Sequence, residues 1–207
     1  MSVPIAGLVL GAGSSSRLGQ PKQLLDYQGK PLLQAAVDNA LAADFDQVIV
    51  AIGGAAPEVQ DAVDFGSALV AENVAFTSGC SSSIVAALSL VDPAAEGLVL
   101  LLGDQPGVTV ETINACIETL RQLETLRQPG PAPLLVCHYD DGRGHPFGFR
   151  RSMFESLAAL QGDKAVWKLL ESGRFEVQEL GRPGPVPLDV DTWEDYAQLL
   201  AAEELTS

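Results

Sequence analysis

The sequence of 207 residues is poor in cysteine, histidine, aromatic side chains and positive charge. Its three cysteines are widely spaced and form no CxxC pair, so we expect reduced thiols and neither a disulfide framework nor a zinc site. Its two histidines lie in no HExxH-type pattern. No apolar run approaches the roughly 18 residues of a membrane-spanning helix, and the N-terminal segment lacks the basic region of a signal peptide. We therefore expect a cytoplasmic protein that does not bind membranes.

Positive charge is scarce and unevenly distributed along the chain. Twelve Lys and Arg residues stand against 27 Asp and Glu residues, a net charge of −15, which disfavours binding to nucleic acid or anionic lipid. The only basic side chains before residue 121 are Arg17, Lys22 and Lys30, in or just after one Gly/Ser-rich stretch. We interpret this cluster as a site for a small anionic ligand. A solvated loop with incidental charges is the alternative.

Short apolar runs alternate with helical patterns. Strands buried on both faces of a mostly parallel sheet are predicted at residues 5–10, 47–52, 97–102 and 134–139. Helices are predicted at 31–43, 57–65, 81–91, 109–127, 151–160 and 163–172, and a last helix from about Thr192. Asp191 is the predicted N-cap of that last helix, with Glu194 three residues later. The alternation predicts a three-layer α/β/α sandwich, and the Pro/Gly-rich loops at 128–133 and 181–187 are too short to separate domains.

The most specific motif is the loop after the first predicted strand, which runs from Leu10 to Lys22 as LGAGSSSRLGQPK. Its small residues let backbone N–H groups approach a phosphate, and Arg17 and Lys22 add positive charge at the same place. The loop is not a Walker motif, because Leu18 stands where a glycine is needed. It is not a dinucleotide fingerprint either, because Ser16 stands at the last position.

Five motifs, in order along the chain, resemble those of the MobA-like nucleotidyltransferases, and are most similar to the molybdenum cofactor cytidylyltransferases among them. They are the loop just described, Asn73 followed by Gly79-Cys-Ser-Ser-Ser-Ile84, Gly103-Asp-Gln-Pro106, Gly144-His-Pro146 and Asp189-Val-Asp-Thr192. The resemblance implies one Rossmann-like domain of the nucleotide-diphospho-sugar transferase type over residues 1–207. Its nucleotide-binding half would extend to about residue 130, and its acceptor-binding half would follow at 131–207.

The resemblance also implies an activity. A phosphate of a molybdopterin acceptor would attack the α-phosphorus of CTP, and pyrophosphate would leave. This chemistry depends on positioning and charge neutralisation, for which Lys22 and Arg17 are the implied catalytic residues. The implied nucleotide-binding residues are Leu10, Gly11, Ala12, Gly13, Ser14, Arg17, Lys22, Asn73, Gly79, Cys80, Ser81 and Asp104.

Asp104 and Asp191 are the implied ligands of Mg²⁺. Asp104 follows a strongly apolar strand, so we expect it at the carboxyl end of that strand, where open α/β sheets bind ligands. Carboxylates beside a triphosphate are typical of magnesium sites. The alternatives are a turn residue for Asp104 and a helix N-cap for Asp191. Asp189 is the weaker candidate for the second carboxylate.

Acceptor-binding residues are implied at Gln105, Pro106, Gly144, His145 and Pro146. Arg143, Arg150 and Arg151 flank His145 and predict a second basic patch, which would bind the molybdopterin phosphate. A surface turn with a partly buried histidine is the alternative. The implied partners are CTP or GTP, a molybdopterin-type acceptor, and transiently a molybdoenzyme or its chaperone.

The choice of nucleotide depends on two features. Ala12 and the segment 79–83 resemble the cytidylyl type, whereas Gly11 matches neither the cytidylyl nor the guanylyl pattern. Three alternatives stay open: GMP transfer from GTP, transfer to another small phosphorylated acceptor, and a non-catalytic nucleotide-binding cofactor chaperone. The presence of Arg17, Lys22, Asp104 and Asp191 together argues against the last, because a binding module does not need both carboxylates.

Overall fold

A computed structural model describes residues 3–13, 15, 17–125 and 132–204 of the chain. Its strands are β1 (Ile5–Gly11), β2 (Asp26–Tyr27), β3 (Lys30–Pro31), β4 (Gln47–Ile52), β5 (Leu69–Glu72), β6 (Gly97–Leu102), β7 (Leu134–Tyr139), β8 (Gly142–Arg150) and β9 (Val177–Gly181). Its helices are α1 (Leu32–Ala42), α2 (Ala56–Ala62), α3 (Cys80–Leu88), α4 (Val110–Thr125), α5 (Phe154–Ala158), α6 (Ala165–Glu171) and α7 (Trp193–Glu204).

All four predicted strands are present, and each predicted helix occurs with its ends shifted by a few residues. The segment 151–160 is a 3₁₀ turn at Arg151–Met153 followed by the short α5. Residues 126 and 127 of the predicted fourth long helix lie outside the described residues, as do residues 128–131 of the Pro/Gly-rich loop. The apolar runs do not predict β5, β8 or β9, nor the two-residue strands β2 and β3. β5 has only four residues and ends in a glutamate, whereas polar residues or glycines interrupt the apolar sequence of β8 and β9.

Seven strands form one sheet in the order β5-β4-β1-β6-β8-β7-β9, and β2 pairs with β3 in a separate hairpin. The neighbours β5, β4, β1 and β6 are parallel, while β8 runs antiparallel to both β6 and β7. Side chains on both faces of the sheet are buried, which explains why the strands read as continuous apolar runs. One core lies between the sheet and α1, α2 and α4, and another between the sheet and α3, α5 and α6. The predicted three-layer α/β/α sandwich is confirmed.

The topology brings several chain segments to one edge of the sheet. Gly11 pairs with Ile52, and Leu10 pairs with Leu102, so β1, β4 and β6 end in the same row. Because β8 is antiparallel to β6, its first residues lie at this edge as well. A third apolar cluster, which includes Val190 and Leu199, packs α7 and the segment before it against the β2–β3 hairpin. The loops after β1 and β6 therefore meet the segment that precedes α7.

Among the described residues, no helix is both long enough and apolar enough to cross a membrane.

Candidate active site

The loop after β1 is closed by hydrogen bonds from Gln23. This side chain is buried, and its Nε2 donates to the carbonyl oxygens of Gly11 at 2.7 Å and Gly13 at 2.9 Å. The backbone N–H of Lys22 donates to Oγ of Ser15 at 2.9 Å. These bonds fold the loop back on itself. Lys22 therefore lies next to the end of β1, although many residues separate the two in the sequence. Sequence reasoning missed Gln23, because nothing in the loop pattern distinguishes it from a surface glutamine.

Lys22 lies between two carboxylates. Its Nζ donates to Oδ1 of Asp191 at 2.8 Å and makes a shorter contact with the carboxylate of Asp104. The side chains of Lys22 and Asp104 are only 14% and 15% exposed, whereas that of Asp191 is 50% exposed. Burial alone would lower the pKa of Lys22, but the two carboxylates raise it above its ordinary value. The ammonium is therefore protonated at neutral pH.

Asp191 faces the same place from the far end of the chain. Its Oδ2 lies 3.4 Å from Nη1 of Arg17, so both predicted catalytic cations contact this carboxylate. The hydrogen bond from Lys22 holds the pKa of Asp191 below its ordinary value, and the charges of Lys22 and Arg17 act in the same direction. The backbone N–H of Val190 donates to the carbonyl oxygen of Asp104 at 3.2 Å, which joins this segment to the turn after β6.

The predicted N-cap of α7 is wrong. The cap is Thr192, whose Oγ1 accepts from the N–H of Asp195 at 3.2 Å, while the Asp195 carboxylate accepts from the N–H of Thr192 at 2.8 Å. This reciprocal arrangement is a capping box shifted by one residue from the prediction. The N–H of Asp191 also donates to Asp195, at 3.1 Å. The Asp191 side chain is thereby left to face Lys22 and Arg17.

Asp189, the weaker carboxylate candidate, is held in the wall behind this cluster. The amide nitrogen of Gln105 donates to the Asp189 carboxylate and, at 2.9 Å, to the carbonyl oxygen of Pro187. Burial raises the pKa of Asp189 to about 6, and the negative charge of Asp104 adds to the effect. Gln105 and Pro106, predicted to bind the acceptor, are both buried in the turn after β6.

Asn73 organises the segment that leads into α3. It is buried, and its Nδ2 donates to the hydroxyls of Ser82 at 2.8 Å and Ser83 at 2.9 Å. Ser81 is also buried, and its N–H donates to a backbone carbonyl in the loop before α6. The N–H of Cys80 donates to Oδ1 of Asp163 at 3.0 Å. Asn73 and Ser81 therefore support the segment from behind, whereas Cys80 borders the cleft described next.

A cleft of about 550 Å³ opens above these residues. Nine sequence-predicted residues line it: Leu10, Ala12, Gly13, Arg17, Lys22, Gly79, Cys80, Asp104 and Asp191. Ser14 lies outside the described residues. Sequence reasoning missed Phe76, Thr77, Asp163 and Lys164, which also line the cleft. The last two could have been noticed as charged residues directly after a glycine in a loop between two helices.

The predicted acceptor residues of β8 occupy a buried bulge. The pairing of β7 with β8 jumps from Val136–Phe147 to Cys137–Gly144, which leaves His145 and Pro146 without partners in the ladder. His145 is buried against Phe147, with ring centroids 4.0 Å apart. Burial lowers the pKa of His145 to about 3, so the imidazole is neutral at physiological pH.

The predicted basic patch around His145 does not form. Arg143 pairs with Glu179 and Arg150 with Glu124, so acidic neighbours compensate both charges. The two arginines also lie at opposite ends of a strand, roughly 20 Å apart at about 3.3 Å per residue. Residues that are close in sequence are separated here because the segment is extended rather than a turn.

The chemistry of the donor set fits a divalent cation. Asp104 and Asp191 converge on a single positive group, the Lys22 ammonium. In the part of the chain that the structure describes, no group of three or more His, Cys, Asp or Glu side chains could hold a metal on its own. Two carboxylates are what Mg²⁺ uses when phosphate oxygens and water complete its shell.

Comparison with known proteins agrees with this geometry. Residues 7–179 match the pattern of the MobA-like NTP transferase domain. The chain belongs to the MobA-like NTP transferase family. Nucleotidyl transfer is the activity of this family, and Asp191 lies beyond the matched residues.

Two solved structures and one relative compared by sequence match this chain over nearly its whole length. Rv0371c from Mycobacterium tuberculosis H37Rv is 46% identical with a TM-score of 0.87, over 97% of this chain and 100% of that chain. A complex of Rv0371c with manganese is 44% identical with a TM-score of 0.84, over 96% and 99% of the two chains. Nicotine blue oxidoreductase from Paenarthrobacter nicotinovorans is 30% identical, over 95% of this chain and 96% of that protein.

Proposed function

We propose that this MobA-like protein transfers CMP from CTP to the phosphate of a molybdopterin-type acceptor and releases pyrophosphate. The observation that carries the proposal is the position of Lys22 between Asp104 and Asp191, in a cleft that the Gly/Ser-rich loop borders. The volume of the cleft, about 550 Å³, lies within the usual range for pockets that bind small-molecule ligands. The acceptor half of the proposal rests on the sequence resemblance.

Each residue of the cluster has a role in this proposal. Backbone N–H groups of the loop at Gly13 would bind phosphate oxygens, and Arg17 would bind a phosphate through two parallel hydrogen bonds. Lys22 would leave the carboxylates and follow the charge that develops on the α-phosphate. An oxygen of the acceptor phosphate forms the new bond to the α-phosphorus, and the bond to the β-phosphate oxygen breaks with its electron pair going to pyrophosphate. The acceptor phosphate is already an anion, so no general base is required.

Asp104 and Asp191 are the proposed holders of the metal. When bound, Mg²⁺ supplies positive charge that neutralises the triphosphate. The manganese complex of Rv0371c supports a divalent metal in this family. Mg²⁺ is proposed here over Mn²⁺ because triphosphate sites with one or two carboxylates are typical of it.

The assay combines the protein, Mg²⁺, molybdopterin and one nucleoside triphosphate, and measures pyrophosphate release. We expect faster pyrophosphate release with CTP than with GTP, because a site that leaves polar groups unpaired against the wrong base discriminates strongly. A preference for GTP would instead assign guanylyl transfer. Release only with another phosphorylated acceptor would change the acceptor class. Tight nucleotide binding without release in any combination would leave the non-catalytic chaperone.

The matched variants for this assay are Lys22→Met and Lys30→Met. Loss of a transition-state charge contact usually costs about two orders of magnitude or more in turnover, and we expect that loss for Lys22→Met. Lys30 pairs with Asp38 at 2.6 Å and does not line the cleft, so Lys30→Met should keep full activity. Equal activity of Lys22→Met and the parent protein would remove Lys22 from the mechanism.

A further inference from the structure

Three cationic side chains line the cleft, and one of them forms no ion pair with the residues that the structure describes. Arg17 pairs with Asp191, and Lys22 pairs with Asp191 and Asp104. The third, Lys164, lines the same cleft and is exposed, and its ammonium makes no hydrogen bond or ion pair with the residues that the structure describes. An unpaired ammonium that lines a cleft can compensate the charge of an anionic ligand, in a chain whose net charge of −15 would otherwise repel it.

The loop that carries Lys164 is fixed against the start of α3. The Asp163 carboxylate accepts from the N–H of Cys80 at 3.0 Å, and the carbonyl of Gly162 accepts from the N–H of Ser81 at 3.4 Å. Gly79 has a φ of +98°, and a Cβ there would lie 2.7 Å from the carbonyl carbon of Gly162. Only glycine permits this close approach of the two backbones. The position of Lys164 is therefore set by packing between two elements.

The chain on the other side of Lys164 is fixed as well. Lys164 itself has a left-handed backbone, with φ of 55° and ψ of 21°, and α6 begins at the next residue. α6 is held in the core by Val166, Leu169 and Leu170, which are 5%, 8% and 7% exposed. The left-handed conformation is uncommon for a residue with a side chain, and the contacts on both sides maintain it. The side chain of Lys164 thus projects from a rigid point at the rim of the cleft.

The charges around the cleft indicate what Lys164 binds. The carboxylates of Asp104 and Asp191 already compensate Lys22 and Arg17, and that of Asp163 accepts a hydrogen bond from the backbone of Cys80. In the proposed reaction Lys22 and Arg17 turn to phosphate groups and leave the carboxylates to the metal. Even then, the triphosphate and the acceptor phosphate together bring more negative charge than Lys22, Arg17 and one divalent metal compensate. A lysine ammonium is a compact charge that binds phosphate without demanding a fixed geometry.

We propose that Lys164 is a phosphate-binding residue, supplied to the cleft by the C-terminal half of the chain opposite the Gly/Ser-rich loop. The proposal rests on the proposed function, since it assigns to Lys164 a phosphate of the two substrates. That phosphate belongs either to the nucleotide or to the acceptor, and the chemistry of recognition is the same for both.

The test compares Lys164→Met with Lys168→Met. Lys168 is exposed on α6, one turn further along, and does not line the cleft, so its variant controls for the loss of one positive charge. Methionine keeps the length of the side chain and has no greater backbone strain than lysine at this position. Thermal unfolding of both variants confirms that they are folded before binding is measured.

Calorimetric titration with Mg²⁺·CTP and with Mg²⁺·pyrophosphate tests the nucleotide as the source. Lys164→Met should weaken binding of either probe by roughly tenfold, the usual effect of one charged hydrogen bond, and Lys164→Arg should restore it. If both affinities are unchanged but the KM for molybdopterin rises roughly tenfold, Lys164 binds the acceptor phosphate. If neither quantity differs between Lys164→Met and Lys168→Met, the proposal is wrong. Failure of the proposed function gives a different result, since the parent protein itself would then bind no triphosphate or release no pyrophosphate.

Discussion

The Nζ atom of Lys22 lies 2.8 Å from Oδ1 of Asp191 and also contacts Asp104, so a cation of the chain itself fills the space between the two proposed metal ligands. The two carboxylates are far apart in the sequence and meet because β6 and the segment before α7 end at the same place. Their mutual repulsion is compensated by the ammonium group. A metal ion entering alone would have to displace this group, whereas a metal ion arriving with a triphosphate offers Lys22 new phosphate contacts.

This relationship predicts that Lys22 suppresses metal binding in the absence of nucleotide. In Lys22→Met the two carboxylates lose their shared cation, so Mn²⁺ should bind more tightly to the variant than to the parent protein when no nucleotide is present. The same variant should have lost its turnover. Electron paramagnetic resonance of free Mn²⁺ measures this affinity directly, and Lys30→Met provides the control. Equal affinities in the parent protein and in Lys22→Met would show that the ammonium does not compete with the metal.

The shifted cap of α7 separates the role of Asp191 from that of its neighbour. Asp191→Asn should lower kcat steeply and raise the Mg²⁺ concentration for half-maximal rate, with little change in the free energy of unfolding. Thr192→Ala removes the cap and should cost about 1 kcal/mol of stability, with the Mg²⁺ dependence unchanged. Asp104→Asn should resemble Asp191→Asn. The loss of activity in the double variant should be clearly smaller than the sum of the two single losses, since residues that act as a unit fail additivity. Full activity of Asp191→Asn with unaltered Mg²⁺ dependence would leave Asp104 as the only supported metal ligand.

The parallel part of the sheet could be predicted from the sequence because its strands are buried on both faces. Runs such as Ile5–Gly11 and Gly97–Leu102 are continuously apolar, as expected for strands of a parallel sheet with both faces covered. β8 was missed for the opposite reason. Its sequence, GRGHPFGFR, contains glycine and proline, which are typical of turns, and charged arginines at both ends. Its burial depends on neighbouring strands that are distant in the sequence.

The candidate site was predictable only where one loop carries the pattern. The positions of Arg17 and Lys22 follow from the Gly/Ser-rich sequence, since the motif and the charges are contiguous. The loop before α6 has no such signal, because Asp163 and Lys164 become part of the cleft only through tertiary packing on α3. Local pattern also failed at the start of α7, where two acidic residues and a threonine offer several possible caps and tertiary contacts select among them.

Burial of His145 predicts a specific dependence of stability on pH. Its pKa is about 3 in the folded protein and about 6.5 in the unfolded chain, so its contribution to stability is complete above pH 6.5 and is lost as the pH falls. Between pH 6 and 4 the loss should approach about 1.4 kcal/mol per pH unit. Urea unfolding of the parent protein and of His145→Gln measures the difference in slope. The opposite contribution of Asp189, whose pKa is raised to about 6, is present in both proteins and cancels. Identical slopes would mean that His145 is accessible to water.

The three thiols differ in burial, and this difference allows nucleotide binding to be measured without turnover. Cys80 is half-buried and lines the cleft, whereas Cys116 and Cys137 are fully buried with their Sγ atoms 3.5 Å apart. The hydrogen bond with Cys137, together with burial, raises the pKa of Cys116 well above its ordinary value, which makes its thiol still less reactive. A disulfide reagent such as dithiobis-nitrobenzoate should therefore modify one thiol in the folded protein and all three after unfolding. Cys80→Ser should abolish the reaction of the folded protein. Because a bound nucleotide would cover Cys80, saturating Mg²⁺·CTP should slow the reaction of this thiol by about tenfold or more in the parent protein. A rate that no nucleoside triphosphate changes would place the nucleotide away from the start of α3.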